Sequence, residues 1–414
     1  MIKNISNLAA MNLTPTESID KIAIKLTPKA EKFVKKGHPW IFESSIVKQN
    51  KEGKAGDLCI IFDQSKNNFL ACGLYDPDSP IRIKVLQVHK AATINEHWFQ
   101  QKIVAAFHKR RDLLQTDTNS YRLIFGENDG LPGLIADVYD TVLVLKLYSF
   151  IWFPYLHWIV KSLIKESNAK ICVLRLSRAL QKKENSLKLK EGDVLHGVLE
   201  NEVVIFKEHG VLFSANVIKG HKTGYFLDHR HNRKQIGDLA ANKTVLDVFS
   251  YAGGFSVHAL VGGAKEVTSI DISKQALALA KANANLNDYK GTHHTMVIDA
   301  FEGLAQLIHQ GKKYDMVIID PPSFAKQEIE VPKAIKSYEK LAGLGAALVK
   351  NKGLLVLASC TSRVSADDFF KVSEKGIVTQ GLTFECIQKT FHDDDHPIGF
   401  PEGAYLKCGY YRIS

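Results

Sequence analysis

The chain has no Cys-x-x-Cys pair, no uninterrupted apolar run of membrane-spanning length and no glycine fingerprint of the G-x-G-x-x-G type. Its six cysteines (Cys59, Cys72, Cys172, Cys360, Cys386, Cys408) are scattered, which excludes a disulfide framework and a cysteine zinc site and makes a reducing cytoplasm the expected compartment. The first ten residues lack both a basic leader and an apolar segment, so export is not expected. The most apolar stretch, Thr141 to Val160, is interrupted by Lys146, Pro154 and His157; it reads as a strand followed by a helix, and no membrane association is expected. His392-Asp393-Asp394-Asp395-His396 contains metal-ligating residue types. Five consecutive polar residues between Phe391 and Pro397 are more simply a solvated loop, and no metal is expected.

What is present is ordinary in bulk. Of 414 residues, 45% are hydrophobic and 24% charged, which is the composition of a folded protein too long for one core. Lysine and arginine exceed aspartate and glutamate to give a formal charge of +10, an excess that suits a polyanionic partner.

The pattern predicts three domains after an N-terminal extension over residues 1–20. Residues 21–93 carry short apolar runs such as Leu58-Cys59-Ile60-Ile61-Phe62 between Gly, Asp, Asn and Pro turns, a small β-rich unit. Within it Lys35 and Lys36 precede Trp40 and Phe42. Cations beside rings suit an RNA-contacting surface, although Trp40 and Phe42 filling a barrel core above a solvated lysine face is the simpler expectation. Residues 94–214 read as a small α+β middle domain whose turn at Gly126-Glu127-Asn128-Asp129-Gly130 is expected to hold solvated carboxylates. Residues 215–414 alternate strand and helix as a parallel, doubly wound α/β sheet, in which ligands bind beyond the carboxyl ends of the strands.

Five strand ends carry unusual residues. Asp247 to Phe255 includes a Gly253-Gly254 turn that opens a helix and lets backbone amides approach a ligand. Asp271 ends the next strand at the separation where a carboxylate meets ribose hydroxyls. Asp299-Ala300 follows the third, as an adenine-edge contact or as a helix N-cap. Asp320-Pro321-Pro322-Ser323-Phe324 holds an acid and a ring on a stiffened loop. Cys360 follows the strand Gly353 to Ala358; it is either a small buried hydrophobe or the thiol nucleophile that methylation of a pyrimidine carbon 5 requires.

These strings resemble the bacterial 23S ribosomal RNA large-subunit methyltransferase I family, over nearly the whole chain. Gly37-His38-Pro39-Trp40-Ile41-Phe42 is similar to its PUA segment, Gly126 to Leu134 to its central signature, and Lys222 to Arg233, Phe249 to Val257, Asp320 to Phe324 and Phe400 to Lys407 to its methyltransferase domain. The resemblance implies a class I, Rossmann-like methyltransferase domain that uses S-adenosylmethionine to form 5-methylcytosine in ribosomal RNA, and it suggests a homodimer. It assigns Lys222, Arg230, Phe249, Ser250, Tyr251, Gly253, Gly254, Asp271, Ile272, Asp299, Ala300 and Asp320 to the cofactor. Cys360 and Asp320 fall to catalysis, and Pro321, Pro322, Phe324, Lys35, Lys36 and Trp40 to substrate. His229 stands where the family usually has glutamine, and His231 where an acid is common. The D-P-P-x-F loop also occurs in enzymes that methylate purine or amine nitrogens, so Cys360 alone argues for carbon. An amine-directed RNA methyltransferase and a non-catalytic RNA-binding assembly factor remain the alternatives, while the irregular glycine turn argues against an NAD-dependent dehydrogenase.

Overall fold

The computed structural model describes residues 13, 18–183, 185 and 187–414; most of the expected N-terminal extension lies outside them. The chain forms two compact units, the first from residues 1–206, 214–227 and 394–401 and the second from 207–213, 228–393 and 402–414. Among the described residues no helix is long and apolar enough to cross a membrane.

The first unit contains two sheets. A six-stranded sheet runs Trp40–Ile41, Ile83–Val88, Phe69–Tyr75, Leu58–Phe62, Lys21–Leu26, Ile46–Gln49. Alternation in Lys21–Leu26 sends Ile22, Ile24 and Leu26 inward, against Cys59, Ile61 and Val85. The lysine-bearing stretch is a helix, Pro28–Lys35, started by Thr27, whose hydroxyl caps Ala30 N–H, with Pro28 in the first turn. This corrects the expectation that Trp40 and Phe42 fill the core: Phe42 is 45% exposed and Trp40 half-buried, because Trp40–Ile41 is a two-residue edge strand. The second sheet has five strands, Val194–His196, Ile171–Leu176, Val142–Leu147, Leu134–Tyr139 and Ser120–Phe125. Its core includes Phe99 and Ile103 of the helix Glu96–His108 and Ile159 and Leu163 of the helix Leu156–Ser167.

The carboxylates of the central turn are not solvated as expected. Asp129 is buried and takes a paired contact from Arg110 (Nη1 to Oδ1 3.0 Å, Nη2 to Oδ2 2.6 Å) plus the Phe125 N–H, and Glu127 accepts from Trp40 Nε1 at 2.9 Å. Residues 392–396 do form the expected loop, with Asp394 exposed, but two of them are not solvated. Asp395 and His396 are fully buried, with Asp395 accepting from Arg122 N–H at 2.8 Å and sharing a 2.7 Å contact with His396 Nδ1. These polar residues satisfy buried backbone and cations instead of facing water.

In the second unit a seven-stranded sheet is built from β1 (Thr244–Val248), β2 (Glu266–Asp271), β3 (Thr292–Val297), β4 (Tyr314–Ile319), β5 (Val349–Ser359), β6 (Phe384–Thr390) and β7 (Lys407–Ile413), in the order β3-β2-β1-β4-β5-β7-β6. The first five are parallel; β7 runs antiparallel to both neighbours, so the sheet is not parallel throughout. Helices α1 (Arg230–Leu239), α2 (Gly254–Val261), α3 (Lys274–Ala284), α4 (Ala300–His309), α5 (Val331–Ala346) and α6 (Ala366–Val378) alternate with the strands. Residues of β1, β4 and β5, Leu246, Val248, Val317, Ile319, Leu355 and Leu357, share a buried core with Leu341 of α5 and Phe369 of α6. The strand order reverses at β1, between β2 and β4, where a doubly wound sheet opens a crevice.

Candidate active site

The turn leaving β1 is shaped by backbone sterics. Phe249, Tyr251 and Gly253 all have positive φ (63°, 46° and 77°), a region that non-glycine residues occupy at a cost. A Cβ at Gly253 would stand 2.8 Å from Ala280 Cβ, so only glycine permits this approach to α3. Asp271 holds the turn from the end of β2: its Oδ2 accepts from Tyr251 N–H at 3.0 Å and its Oδ1 from Ser273 N–H at 2.8 Å. Ile272 beside it is largely exposed. Beneath the turn, burial pushes the Asp247 carboxyl up to about 7 against the opposing hydrogen bonds from Ser256.

Among the described residues, two polar atoms here, Ser250 Oγ and Asp247 Oδ1, are buried without a hydrogen-bond partner. A bound ligand is one thing that completes such atoms, and the turn fits the nucleoside-bearing cofactor expected there. Asp299 caps α4, its Oδ1 accepting from Phe301 and Glu302 N–H at 2.9 and 3.3 Å, and Ala300 is buried behind it.

The other wall is the loop after β4 bound to the loop after β5. Asp320 is partly exposed and Pro322 exposed, while Pro321 is buried. Cys360 is partly exposed, and its Sγ lies 3.9 Å from the Pro321 carbonyl. Thr361 ties the two loops: its Oγ1 contacts Phe324 N–H at 3.3 Å, Ser323 Oγ at 3.3 Å and the Tyr338 hydroxyl at 2.6 Å. Phe324 stands tilted against the Tyr338 ring, centroids 5.1 Å apart.

Three residues that sequence reasoning gave no role belong to this wall. Tyr338, from α5, reaches both Ser359 and Thr361. Lys407, at the start of β7, donates to the carbonyls of Thr361 and Val364 at 2.5 and 2.6 Å; burial lowers its pKa to about 8, opposed by its attraction to Cys360. His229 is buried with Nε2 3.4 Å from Asp320 Oδ1. Burial alone depresses its pKa, and the Asp320 carboxylate outweighs this and leaves it raised. Lys407 carried no local signal beyond its place in the terminal string, and His229 showed only as a departure from a familial glutamine.

Arg230 is fully buried, with Nη1 3.1 Å from Asp393 Oδ2 and Nε 3.9 Å from Glu208 Oε2. In the first unit, Lys222 is exposed and its carbonyl accepts from Lys146 Nζ at 2.8 Å. There too, Lys35 pairs with Glu31 at 2.5 Å, Lys36 is exposed, and the Trp40 ring meets Phe400 edge-on at 5.1 Å.

Replacing Asp271 with alanine removes the carboxylate that accepts from the Tyr251 and Ser273 N–H groups, along with the candidate hydroxyl contact. Charge-assisted bonds of this kind contribute about 2 kcal/mol, so titration calorimetry is expected to show S-adenosylmethionine binding weakened on the order of 30-fold. An unchanged dissociation constant would remove Asp271 from the site.

The S-adenosylmethionine-dependent methyltransferase family matches residues 134–383 and the PUA-like domain family residues 24–87. A ribosomal RNA large subunit methyltransferase of Deinococcus radiodurans is 39% identical over 405 residues, covering 96% of this chain and 99% of the relative. Ribosomal RNA large subunit methyltransferase I of Alteromonas mediterranea is 35% identical over 390 residues, covering 92% and 96%. A solved structure described as a methyltransferase complexed with SAH is similar with a TM-score of 0.78 at 24% identity, covering 95% of this chain and 100% of that one, which speaks to the fold. The glycine turn, the Asp320 loop and this end-to-end similarity converge: the chain belongs to the S-adenosylmethionine-dependent methyltransferase family, with ribosomal RNA large subunit methyltransferases as its full-length relatives.

Proposed function

We propose that this methyltransferase acts on large-subunit ribosomal RNA in the cytoplasm, forming 5-methylcytosine through a covalent Cys360 adduct. The observation that carries the reading is the 3.9 Å contact of Cys360 Sγ with the Pro321 carbonyl, which brings the candidate nucleophile against the loop that also carries Asp320. The names of the full-length relatives support ribosomal RNA as the substrate class.

S-adenosylmethionine, when bound, supplies an electrophilic methyl group on a sulfonium sulfur. The Phe249–Gly254 turn and Asp271 hold it, with Asp299 and Ile272 framing the nucleoside end. The target cytosine leaves its stack at a cost of a few kcal/mol, and Phe324 and Pro322 offer it an apolar seat while Asp320 accepts from its polar edge. Cys360, as thiolate, bonds to carbon 6; the carbon 5–carbon 6 double bond opens and makes carbon 5 nucleophilic. After carbon 5 is methylated, its proton leaves to a base and the returning electron pair expels the thiolate. The Lys407 ammonium, electrostatically coupled to Cys360, favours the thiolate.

Residues 21–93 are read as a PUA-like RNA-binding domain, supported by the family match at 24–87 and by the exposed Lys29, Lys32, Lys35 and Lys36. Each phosphate contact contributes roughly 0.7 to 0.9 to the salt slope of binding. Lys35→Ala with Lys36→Ala is therefore expected to flatten the slope of log affinity against log salt by roughly 1.5. A parallel line would remove these lysines from the interface.

The deciding experiment incubates the protein with methyl-labelled S-adenosylmethionine and unmodified large-subunit RNA, digests the RNA to nucleosides and identifies the labelled one. Label in 5-methylcytidine is the expected result. Label on a purine or an exocyclic amine overturns the carbon reading.

A further inference from the structure

We infer that His229 is a positioning residue for Asp320: its Nε2–H aims at Oδ1 and fixes the carboxylate so that Oδ2 faces the substrate base. The inference rests on the reading of Asp320 as the group that receives the base edge. It starts from a hydrogen-bond chain behind the ring. The hydroxyls of Thr390 on β6 and Tyr410 on β7 donate to Asn232 Oδ1 at 2.7 and 2.9 Å. That leaves the Asn232 amide nitrogen, 3.1 Å from His229 Nδ1, to donate to the ring. An imidazole that accepts at Nδ1 carries its proton at Nε2.

Nε2 is the atom that faces Asp320. It is buried, has no shorter hydrogen bond among the described residues, and stands 3.4 Å from Asp320 Oδ1. The ring cannot easily turn away, since Phe255 packs against it at 5.6 Å between centroids. Such contacts are often long before substrate arrives and shorten in the reacting complex. The fixed histidine thus presents its donor on the side of the Asp320 carboxylate, the acid of the proposed substrate loop. The other charges acting on the ring are Asp228 and Arg233, of opposite sign.

Two amides separate this role from simple packing. Glutamine carries a donor at the reach of the histidine Nε2, whereas asparagine reproduces only the Nδ1 position next to Asn232. His229→Ala, His229→Asn and His229→Gln would be compared with the parent for thermal midpoint, S-adenosylmethionine affinity and kcat/KM of methyl transfer to large-subunit RNA, whatever nucleoside receives the label. The expected result is a 10- to 100-fold fall in kcat/KM for alanine and asparagine, with cofactor affinity unchanged and most activity restored by glutamine. Alanine matching the parent, or asparagine restoring activity where glutamine does not, overturns the proposal. Because transfer is counted for any product, a purine product would sink the Cys360 chemistry without touching this ranking.

Discussion

Cys360→Ala is expected to abolish 5-methylcytidine in the digested RNA while the protein still folds and still binds S-adenosylmethionine. Without a sulfur adding at carbon 6, carbon 5 of cytosine has too little nucleophilicity to take a methyl group. The expected loss is on the order of a thousandfold or more in kcat, about 4 kcal/mol of barrier. Stability should hardly change, because the thiol is partly exposed and its contact to the Pro321 carbonyl is a long one, 3.9 Å. Product analysis, a thermal melt and cofactor titration on the same preparation make the comparison clean. Methylation that persists in the variant would leave Cys360 as a packing residue and favour an amine-directed enzyme.

Glu208→Ala unfolds much of the second unit's stability. This carboxylate is fully buried, takes both Arg233 Nε and Nη2 at 2.6 Å, and meets His258 Nε2 at 2.9 Å. Removing it takes from the buried Arg233 its paired carboxylate, a change that costs about 3–5 kcal/mol. Although burial itself opposes ionisation, the Arg233 guanidinium and the His258 ring hold the Glu208 pKa far below its ordinary 4.5. Its folded pKa being depressed, the contribution is complete above the ordinary glutamate range and fades as pH falls below it. Denaturant titration at neutral and acid pH should show the parent losing this increment in acid and the variant having none to lose. A difference of less than about 1 kcal/mol at neutral pH would mean the cluster contributes no net stability.

The parts of the molecule that were legible from sequence are those governed by neighbours along the chain. Strand and helix alternation after Lys243 gave the doubly wound sheet, and the residues following β1, β2, β4 and β5 named both walls of the site, because a strand's carboxyl end is a local property. Asp129 was misjudged for the converse reason. A carboxylate in a glycine-rich turn looks solvated until Arg110, nineteen positions away, comes down on it. Asp395 and His396 failed the same way, their partners Arg122 and Phe125 being far off in the chain. The reversed direction of β7 left no mark either, since apolar alternation reads alike in both directions. With it went the reach of Lys407 to the turn after Cys360.

That reversed strand has a bearing on the order in which the enzyme is assembled. β6 comes earlier in the chain than β7, yet β7 lies between it and β5, so β6 has no neighbour in the sheet until β7 arrives. The five parallel strands can pair without either. The antiparallel pair then closes on β5 and carries Lys407 to the carbonyls of Thr361 and Val364. A late-docking element of this kind is also an early one to detach. On the reading proposed above, the turn after β1 that would hold a methyl donor is built without this pair, whereas the loop that carries Cys360 draws on it through Lys407.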